Sequence, residues 1–477
     1  MSLLRLPLYL LLAAVYAAAF GQDQQLHSLI EKAQAAEQRD DLAAAASAYQ
    51  EILRLKPNWG SAELNLALVL NSQKKYRDAL AYFDHALQHD ATLSSAHLGR
   101  GVSLFNLERF EDAVASLQQY AGARPEDPEV HLLLGRTLDS LGAYSRAIME
   151  FQRQLQLTPQ NTEALYHLGE SGRTLSGVLA KQLADDPDGV YYFTLLTAEE
   201  PQLSQDIGST ESKIGDAIRS HPDRPEAYVT LGLLQLRAGN RKEAASAFQE
   251  AWQRDSTDCR ISSTCSDDRD AAAGFDGVST PAACYDRFQR AKRLAESSFR
   301  KLVDIAPQSP LAAQARAHLW DQSGRLEEAD EQYRKAVELA LRSPESLVGY
   351  AKFLAKRGQF DRSIALLREA LRGEPSSSVI QALLGEMHVM KDEPSAAIPY
   401  LKAALGHRPN DEQTRYYLAQ ALARLNRAAE AVAVIEAATA DPQGRLHYLL
   451  GTLYRRLGQP VKAERAFEVF RQRKAAR

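Results

Sequence analysis

The sequence has few of the residues and motifs that build reactive sites. Its 477 residues include only 3 cysteines, 4 methionines and 3 tryptophans, and no two cysteines have the C-x2-C spacing of a structural zinc site. It contains no G-x-x-x-x-G-K-[ST] phosphate loop, no G-x-S-x-G nucleophile elbow and no glycine-rich dinucleotide fingerprint. The sequence therefore predicts a protein that is not an enzyme and that binds no cofactor.

Neither sign of charge dominates the chain. There are 57 Lys plus Arg against 61 Asp plus Glu, which gives a formal net charge of −4, and no long block of either sign. Nucleic-acid binding depends on a concentrated basic face that neutralises phosphates. We therefore expect no nucleic-acid partner.

The one long apolar run lies at the N-terminus. Arg5 precedes an apolar stretch from Leu6 to Phe20, and the tripeptide Ala19–Gly21 has a small residue at each end. This pattern predicts a secretory signal peptide over residues 1–21 and a periplasmic or secreted mature chain. The run is shorter than the ~20 residues of a membrane span, and an uncleaved anchor is the alternative. The rest of the sequence has no apolar segment of spanning length, so the mature chain is expected to have no stable membrane span.

The histidines do not match a known metal motif. His85 and His89 are four residues apart in a helical pattern, which places both imidazoles on one helix face. His97 is the nearest third ligand, and the glutamate of an H-E-x-x-H motif is absent. We interpret these histidines as surface residues and predict no metal site.

A 34-residue period is the strongest signal in the chain. Each copy has a small residue, an alanine twelve positions later, and a large apolar residue four positions after that. Three successive copies carry Ala67, Ala79 and Phe83; Gly101, Ala113 and Leu117; and Gly135, Ala147 and Phe151. A fixed period of this size indicates an array of stacked units.

The residue types of the period have physical reasons. Apolar residues three or four positions apart form one stripe of a helix. The small residues let two helices approach closely, where a larger side chain would overpack. Pro125 and Pro159 disfavour helix in the residue before them and so separate successive units. Each helical hairpin is too small to bury its own apolar face, so its neighbours must cover it.

This pattern resembles the tetratricopeptide repeat, in which a small residue, Ala and a large apolar residue occupy positions 8, 20 and 24, with Pro near 32. Units run over 26–59, 60–93, 94–127 and 128–161, and the phase returns at 225–258 with Gly232, Ala244 and Phe248. Later units start near 310, 344, 378, 412 and 444. The resemblance implies an all-α, right-handed superhelical solenoid of helix-turn-helix units.

The period breaks twice in the same way. Residues 162–190 and 281–309 are each 29 residues long, about one hairpin turn shorter than a full unit, and end at Pro187 and Pro307. We predict one longer helix in each segment, although Gly172 and Gly177 weaken the first. The segments either bend the solenoid and separate two binding arcs, or are worn repeats without a separate role.

All three cysteines lie in or beside one insertion. Cys259 and Cys265 fall in a Ser-, Asp- and Gly-rich loop over 259–280, and Cys284 follows it. An oxidising compartment permits a disulfide between Cys259 and Cys284, which would pin the base of the loop. The pairings Cys259–Cys265 and Cys265–Cys284 also stay open.

These boundaries divide the sequence into six parts. They are a signal peptide (1–21), an N-terminal array of four repeats (22–161), irregular and degenerate repeats (162–258), the Cys-containing loop (259–280), a single-helix unit (281–309), and a C-terminal array of five repeats (310–477).

The resemblance also implies a binding surface. In this family the first helix of each unit lines a concave groove through positions 2, 5, 9, 12 and 13. On this chain we select from those positions Asn71, Phe105, Asn106, Arg136, Lys352, Tyr416, Gln420, Arg424, Tyr448 and Arg455, together with Asn65 at the adjacent position 6, and His318 and Arg456 occupy equivalent positions. Tyr416 and Tyr448 either bind a partner or pack on the next unit. The Lys and Asn residues of the family's carboxylate clamp are absent.

Two functions are consistent with a repeat solenoid that has a concave binding surface. The chain is either a non-catalytic scaffold or adaptor that binds peptide or helical segments of protein partners in the groove, or a structural component of a bacterial envelope, secretion or outer-membrane assembly complex. Arg424 and Arg455 would attract an acidic segment of a partner.

Overall fold

A computed structural model describes residues 24–199, 206–255, 280–438, 441 and 444–475. Within these ranges the regular structure is helical and contains no strand, and the predicted all-α helical repeat fold of the solenoid class is confirmed. The predicted signal peptide and loop 259–280 lie outside the described residues, except for Thr280. The chain divides into two compact units, one up to Thr158 and one from Pro159 onward.

The described part of the first unit contains eight helices arranged as hairpins. They are α1 (24–38), α2 (Leu42–Leu55), α3 (Gly60–Ser72), α4 (Tyr76–His89), α5 (Ser94–Asn106), α6 (Phe110–Ala123), α7 (Pro128–Ser140) and α8 (Tyr144–Leu157). Capping residues define the N-termini of several of these helices. The Asp41 carboxylate accepts a hydrogen bond from the Ala44 amide at the start of α2, and Asp127 caps α7, which begins with Pro128.

The predicted packing of small on large residues holds these hairpins together. Phe151 and Leu117 are fully buried, and each lies against the glycine of its own hairpin. A Cβ added to Gly135 would lie 2.6 Å from a ring carbon of Phe151, and one added to Gly101 would lie 2.6 Å from Leu117. At these distances an added Cβ would force the facing side chain to shift, so the prediction that small residues allow the close approach is confirmed.

The second unit contains sixteen helices in its described part. They are α9 (Thr162–Asp185), α10 (Val190–Glu199), α11 (Ile207–Ser220), α12 (Pro225–Arg237), α13 (Arg241–Arg254), α14 (Pro281–Ile305), α15 (Pro310–Gln322), α16 (Leu326–Leu339), α17 (Pro344–Lys356), α18 (Phe360–Gly373), α19 (Ser378–Met390), α20 (Pro394–His407), α21 (Glu412–Arg424), α22 (Ala428–Glu436), α23 (Arg445–Arg456) and α24 (Pro460–Ala475). A short 3-10 turn, Pro187–Gly189, precedes α10.

The prediction of one long helix in each short segment is confirmed by α9 and α14, which have 24 and 25 residues. The sequence did not predict that these two helices pack against each other along their length. Gly169 of α9 lies against the fully buried ring of Phe299 of α14, where an added Cβ would be 2.4 Å from a ring carbon. A Cβ added to Gly172 would lie 2.9 Å from the carbonyl oxygen of Ala291.

The paired helices α9 and α14 form one repeat that an insertion divides, which we call the split repeat. Gly169 occupies position 8 of the unit that begins at 162, and Phe299 meets it as position 24 does elsewhere. Counting back from Phe299 places Ala295 at position 20, and counting forward places Pro307 at position 32. The next unit then begins in phase at Pro310. Helices α10 to α13 therefore belong to the insertion that divides the split repeat, and they do not separate two complete repeats.

Candidate protein-binding surface

In the first unit, the predicted groove residues contact one another across successive first helices. Asn71 of α3 accepts a hydrogen bond from the Ser103 hydroxyl of α5 at 3.3 Å. The Arg136 guanidinium carbon of α7 lies 5.4 Å from the Phe105 ring centroid, within cation–π range. Asn106 donates to a carbonyl of its own helix. Asn65, in α3, is half-buried and hydrogen-bonds with Tyr49.

In the second unit, α17, α19, α21 and α23 are the first helices of four consecutive repeats, and α19, α21 and α23 contact one another in turn. Their side chains meet near Tyr416. Gln420 donates to the Tyr416 hydroxyl at 2.9 Å, and the Arg445 guanidinium carbon lies 4.3 Å from the Tyr416 ring centroid. The structure thus joins two predicted residues, Tyr416 and Gln420, to Arg445 of the following repeat.

Glu386 of α19 lies close to the same group of side chains. Burial raises the pKa of Glu386, while the Tyr417 hydroxyl, which donates to it at 2.8 Å, and the charges of Lys352 and Arg445 act in the opposite direction. Lys352 of α17 and Arg445 of α23 therefore both act on one carboxylate between them. We call the exposed side of α17, α19, α21 and α23 the C-terminal first-helix surface.

Arg424 has a structural role that the sequence analysis missed. Its guanidinium donates to the Val389 carbonyl of α19 at 2.6 Å and pairs with Asp392 at 3.1 Å. Arg456 reaches the Ala423 carbonyl of α21 in the same way, at 3.4 Å. Each cation meets a carbonyl at the end of the preceding first helix, where the helix dipole is negative. The sequence contained a signal for this shared role, because Arg424 and Arg456 both occupy position 13 of their repeats.

A cavity of about 570 Å³ lies beside these arginines. It is lined by Asp392, Gln420, Ala423, Arg424, Asn426, Leu449 and Arg456. The two guanidinium groups exceed the charge of the single lining carboxylate, and Leu449 adds an apolar wall. Arginine donates in a planar fork that matches a carboxylate, so the cavity suits an acidic side chain.

Tyr448 and Arg455 are not among the residues that line this cavity. The Tyr448 ring is 53% exposed and lies 5.2 Å from the Phe470 ring of α24, centroid to centroid. The Arg455 guanidinium carbon lies 4.5 Å from the centroid of Phe467. Both side chains therefore pack on the second helix of their own hairpin while keeping an exposed edge.

His318 does not lie on an exposed surface, contrary to its predicted groove position. It is only 7% exposed, its Nε2 lies 2.8 Å from Oε1 of Glu170, and its Nδ1 lies 2.8 Å from the Tyr333 hydroxyl. Burial alone would raise the pKa of Glu170, but Arg173 and His318 outweigh it and hold that pKa well below its usual range. This network joins the split repeat to α15 and α16.

The remaining described residues bear on three further features: a reactive cysteine, a metal site and a membrane-spanning helix. Cys284 is 3% exposed, and its Sγ lies 3.6 Å from the Leu179 carbonyl oxygen. Cys259 and Cys265 lie outside the described residues, so the disulfide stays a prediction. In the part of the chain that the structure describes, no three potential ligands are already arranged around a metal position, and no helix is long and apolar enough to cross a membrane.

Sequence comparison identifies the family. A tetratricopeptide repeat model matches residues 30–94, 98–164, 211–258 and 313–378, which together are more than half of the chain. Two further tetratricopeptide repeat models match residues 389–453 and 444–468. The chain belongs to the tetratricopeptide repeat family. Members of this family are generally non-catalytic modules that bind proteins or peptides, which supports an interaction scaffold as the class of function.

Solved structures with the same repeat are similar at low identity. A tetratricopeptide repeat protein from Parabacteroides merdae is 15% identical over 76% of this chain and 99% of its own, with a TM-score of 0.42. PilF of Pseudomonas aeruginosa is 20% identical over 51% and 88%, with a TM-score of 0.33. YrrB, described as having an unusual peptide-binding site, is 20% identical over 46% and 97%, with a TM-score of 0.26. No curated protein sequence matches the chain.

Proposed function

We propose that this chain is a non-catalytic scaffold that binds an acidic segment of a protein partner on the C-terminal first-helix surface. The observation that supports this most directly is the cavity at which Arg424 and Arg456 of successive repeats meet Gln420. An extended or helical segment that crosses α21 and α23 would place a carboxylate between the two guanidinium groups, while Leu449 contacts an apolar neighbour.

The charges of the surface favour the same partner. Positions 2, 5, 9, 12 and 13 of the four first helices carry six cations and two carboxylates. The cations are Lys352, Lys356, Arg424, Arg445, Arg455 and Arg456, and the carboxylates are Glu345 and Glu386. The chain as a whole has a net charge of −4, so the excess of positive charge is local to this surface. Complementary charge raises association rates and sets specificity more than it raises affinity.

A peptide-display selection tests the proposed ligand class. Random dodecapeptides selected on the full chain should be enriched in Asp and Glu, with at least one apolar residue for the wall formed by Leu449. Binding should weaken as the salt concentration rises, because the contacts are exposed charges. Selected peptides of neutral or basic composition, or an affinity that does not change with salt, would contradict the proposal.

The alternative function, a structural component of an envelope, secretion or outer-membrane assembly complex, makes a different prediction. Assembly through the second helices would survive substitutions on the first-helix surface and fail with substitutions on α18, α20 or α22. The periplasmic or secreted location stays part of the proposal, and it requires that the chain recovered from cells begin at Gln22. Intact-mass measurement of the purified natural protein checks this directly.

A further inference from the structure

Glu63 carries a buried carboxylate whose second oxygen has no hydrogen-bond partner. It lies in the first turn of α3 and is 5% exposed, and its Oε2 is buried without a donor. A buried charge that lacks a compensating group is costly. This arrangement therefore requires an explanation, such as a cation bound by the carboxylate.

Two histidines of the next helix face this carboxylate. His85 Nδ1 lies 4.0 Å from Oε1 of Glu63, and His89 Nε2 lies 3.9 Å from Oε2. Both separations are too long for hydrogen bonds. The two imidazoles are one turn apart on α4 and retain 57% and 35% of their side-chain exposure, so an ion from solution has access to them.

We propose that Glu63, His85 and His89 bind one divalent transition-metal ion, for which Zn²⁺ is the best match. Imidazole nitrogen and carboxylate oxygen are zinc ligands at about 2.0–2.2 Å. Two ligands of a tetrahedral ion at that bond length lie roughly 3.4 Å apart. The nitrogen-to-oxygen separations must therefore shorten by about half an ångström.

The required shortening is about half an ångström, and the exposed side chains of His85 and His89 are the groups that would move. As they stand, the described His, Cys, Asp and Glu side chains form no group of three that could hold a metal ion, so the ion itself would have to draw the imidazoles toward the buried carboxylate. His97, the third ligand suggested by sequence spacing, hydrogen-bonds to the backbone of Ala91 instead. Glu63 takes its place, and because each imidazole faces a different oxygen of its carboxylate, both oxygens would bind and complete four donor atoms.

The consequence of binding is a cross-link within one hairpin. Glu63 belongs to α3, whereas His85 and His89 belong to α4, and these helices pack together. An ion held by both would stabilise this hairpin of the first unit through linkage between binding and folding.

Equilibrium binding of Zn²⁺ to the metal-free full chain tests the proposal, with Co²⁺ absorption as a second probe of tetrahedral geometry. The variants are Glu63→Gln, His85→Ala and His89→Ala, and the matched control is His97→Ala. We expect one ion per chain in the wild type and at least a ten-fold loss of affinity in each of the three variants. The control should bind like the wild type.

Two results would overturn the proposal. One is a wild-type chain that binds no Zn²⁺ at 100-fold excess, and the other is equal affinity in all four variants. Glu63→Gln also separates a metal site from a merely structural residue, because it removes a buried charge whose Oε2 has no hydrogen-bond donor while keeping the shape. Its metal-free form should melt at or above the wild-type temperature, and added Zn²⁺ should raise the melting temperature of the wild type alone.

Discussion

Replacing Gly169 with alanine should loosen two helices that are far apart in the sequence. A Cβ at residue 169 would lie 2.4, 2.7 and 2.8 Å from three ring carbons of Phe299, and the ring is fully buried. Overpacking of this kind costs about 1–3 kcal/mol. The cost falls on the contact between α9 and α14.

Gly177→Ala is the matched control in the same helix. A Cβ at residue 177 meets no atom within 4 Å. Both substitutions gain about 1 kcal/mol of helix propensity, and this gain cancels in the comparison. Gly169→Ala should therefore be less stable than Gly177→Ala by about 1–3 kcal/mol, the overpacking cost alone.

Native-state hydrogen exchange resolves the effect helix by helix, which global unfolding of a repeat array does not. At about 1.4 kcal/mol per tenfold, Gly169→Ala should accelerate amide exchange roughly 5- to 150-fold relative to Gly177→Ala. The acceleration should appear in both Thr162–Asp185 and Pro281–Ile305. Faster exchange confined to the first helix would show that the two helices do not form one repeat.

Three further predictions follow from single contacts. Arg173 and His318 lower the pKa of Glu170, so the stability contributed by these two pairs is fully present above the usual pKa of 4.5 and is lost as the pH falls through the lower folded-state pKa. Glu170→Gln should therefore lower the unfolding free energy by about 1–3 kcal/mol at pH 7 and by progressively less below pH 4.5, as measured by urea titration. Burial raises the pKa of Cys284, so iodoacetamide should label it at least ten-fold more slowly in the folded chain than in the reduced, unfolded chain, and a disulfide with Cys259 would block labelling until reduction. Asp41→Ala removes the cap that accepts from the Ala44 amide and should cost about 1 kcal/mol, seen as faster exchange in α2.

Contacts within a hairpin were predictable because they depend on residues a short distance apart. Gly135 and Phe151 are sixteen positions apart, and so are Gly101 and Leu117. A turn of fixed length brings such a pair together in every copy. The pattern of small and large residues therefore specifies both the helices and their close approach before any tertiary contact is known.

The split repeat was not predicted because its two halves are separated by a long insertion. Each half alone resembles a shortened unit, and the local pattern predicts only a helix. The signal lay in the phase, since Ala295, Phe299 and Pro307 continue the unit that Gly169 begins. To detect the split repeat from the sequence, one would have to identify the residue that packs against Gly169. The structure shows that this residue is Phe299 of α14.

Position within a repeat does not by itself predict exposure, because exposure depends on neighbours that a single repeat does not reveal. His318 occupies a groove position, but Glu170 and the Phe299 ring of the split repeat cover it. Arg424 occupies another, and part of its donor capacity goes to a carbonyl of α19. The binding role of the predicted groove residues stays a prediction.

The measurement that tests the proposed function most directly compares two Lys→Gln substitutions. Lys352 is exposed on first helix α17, and Lys402 is exposed on second helix α20. With a fluorescent acidic peptide from the display selection, Lys352→Gln should raise the Kd roughly 2- to 5-fold at 50 mM salt. The difference should disappear at 500 mM salt, and Lys402→Gln should bind like the wild type. Equal effects of the two substitutions, or none from Lys352→Gln, would contradict recognition on the C-terminal first-helix surface.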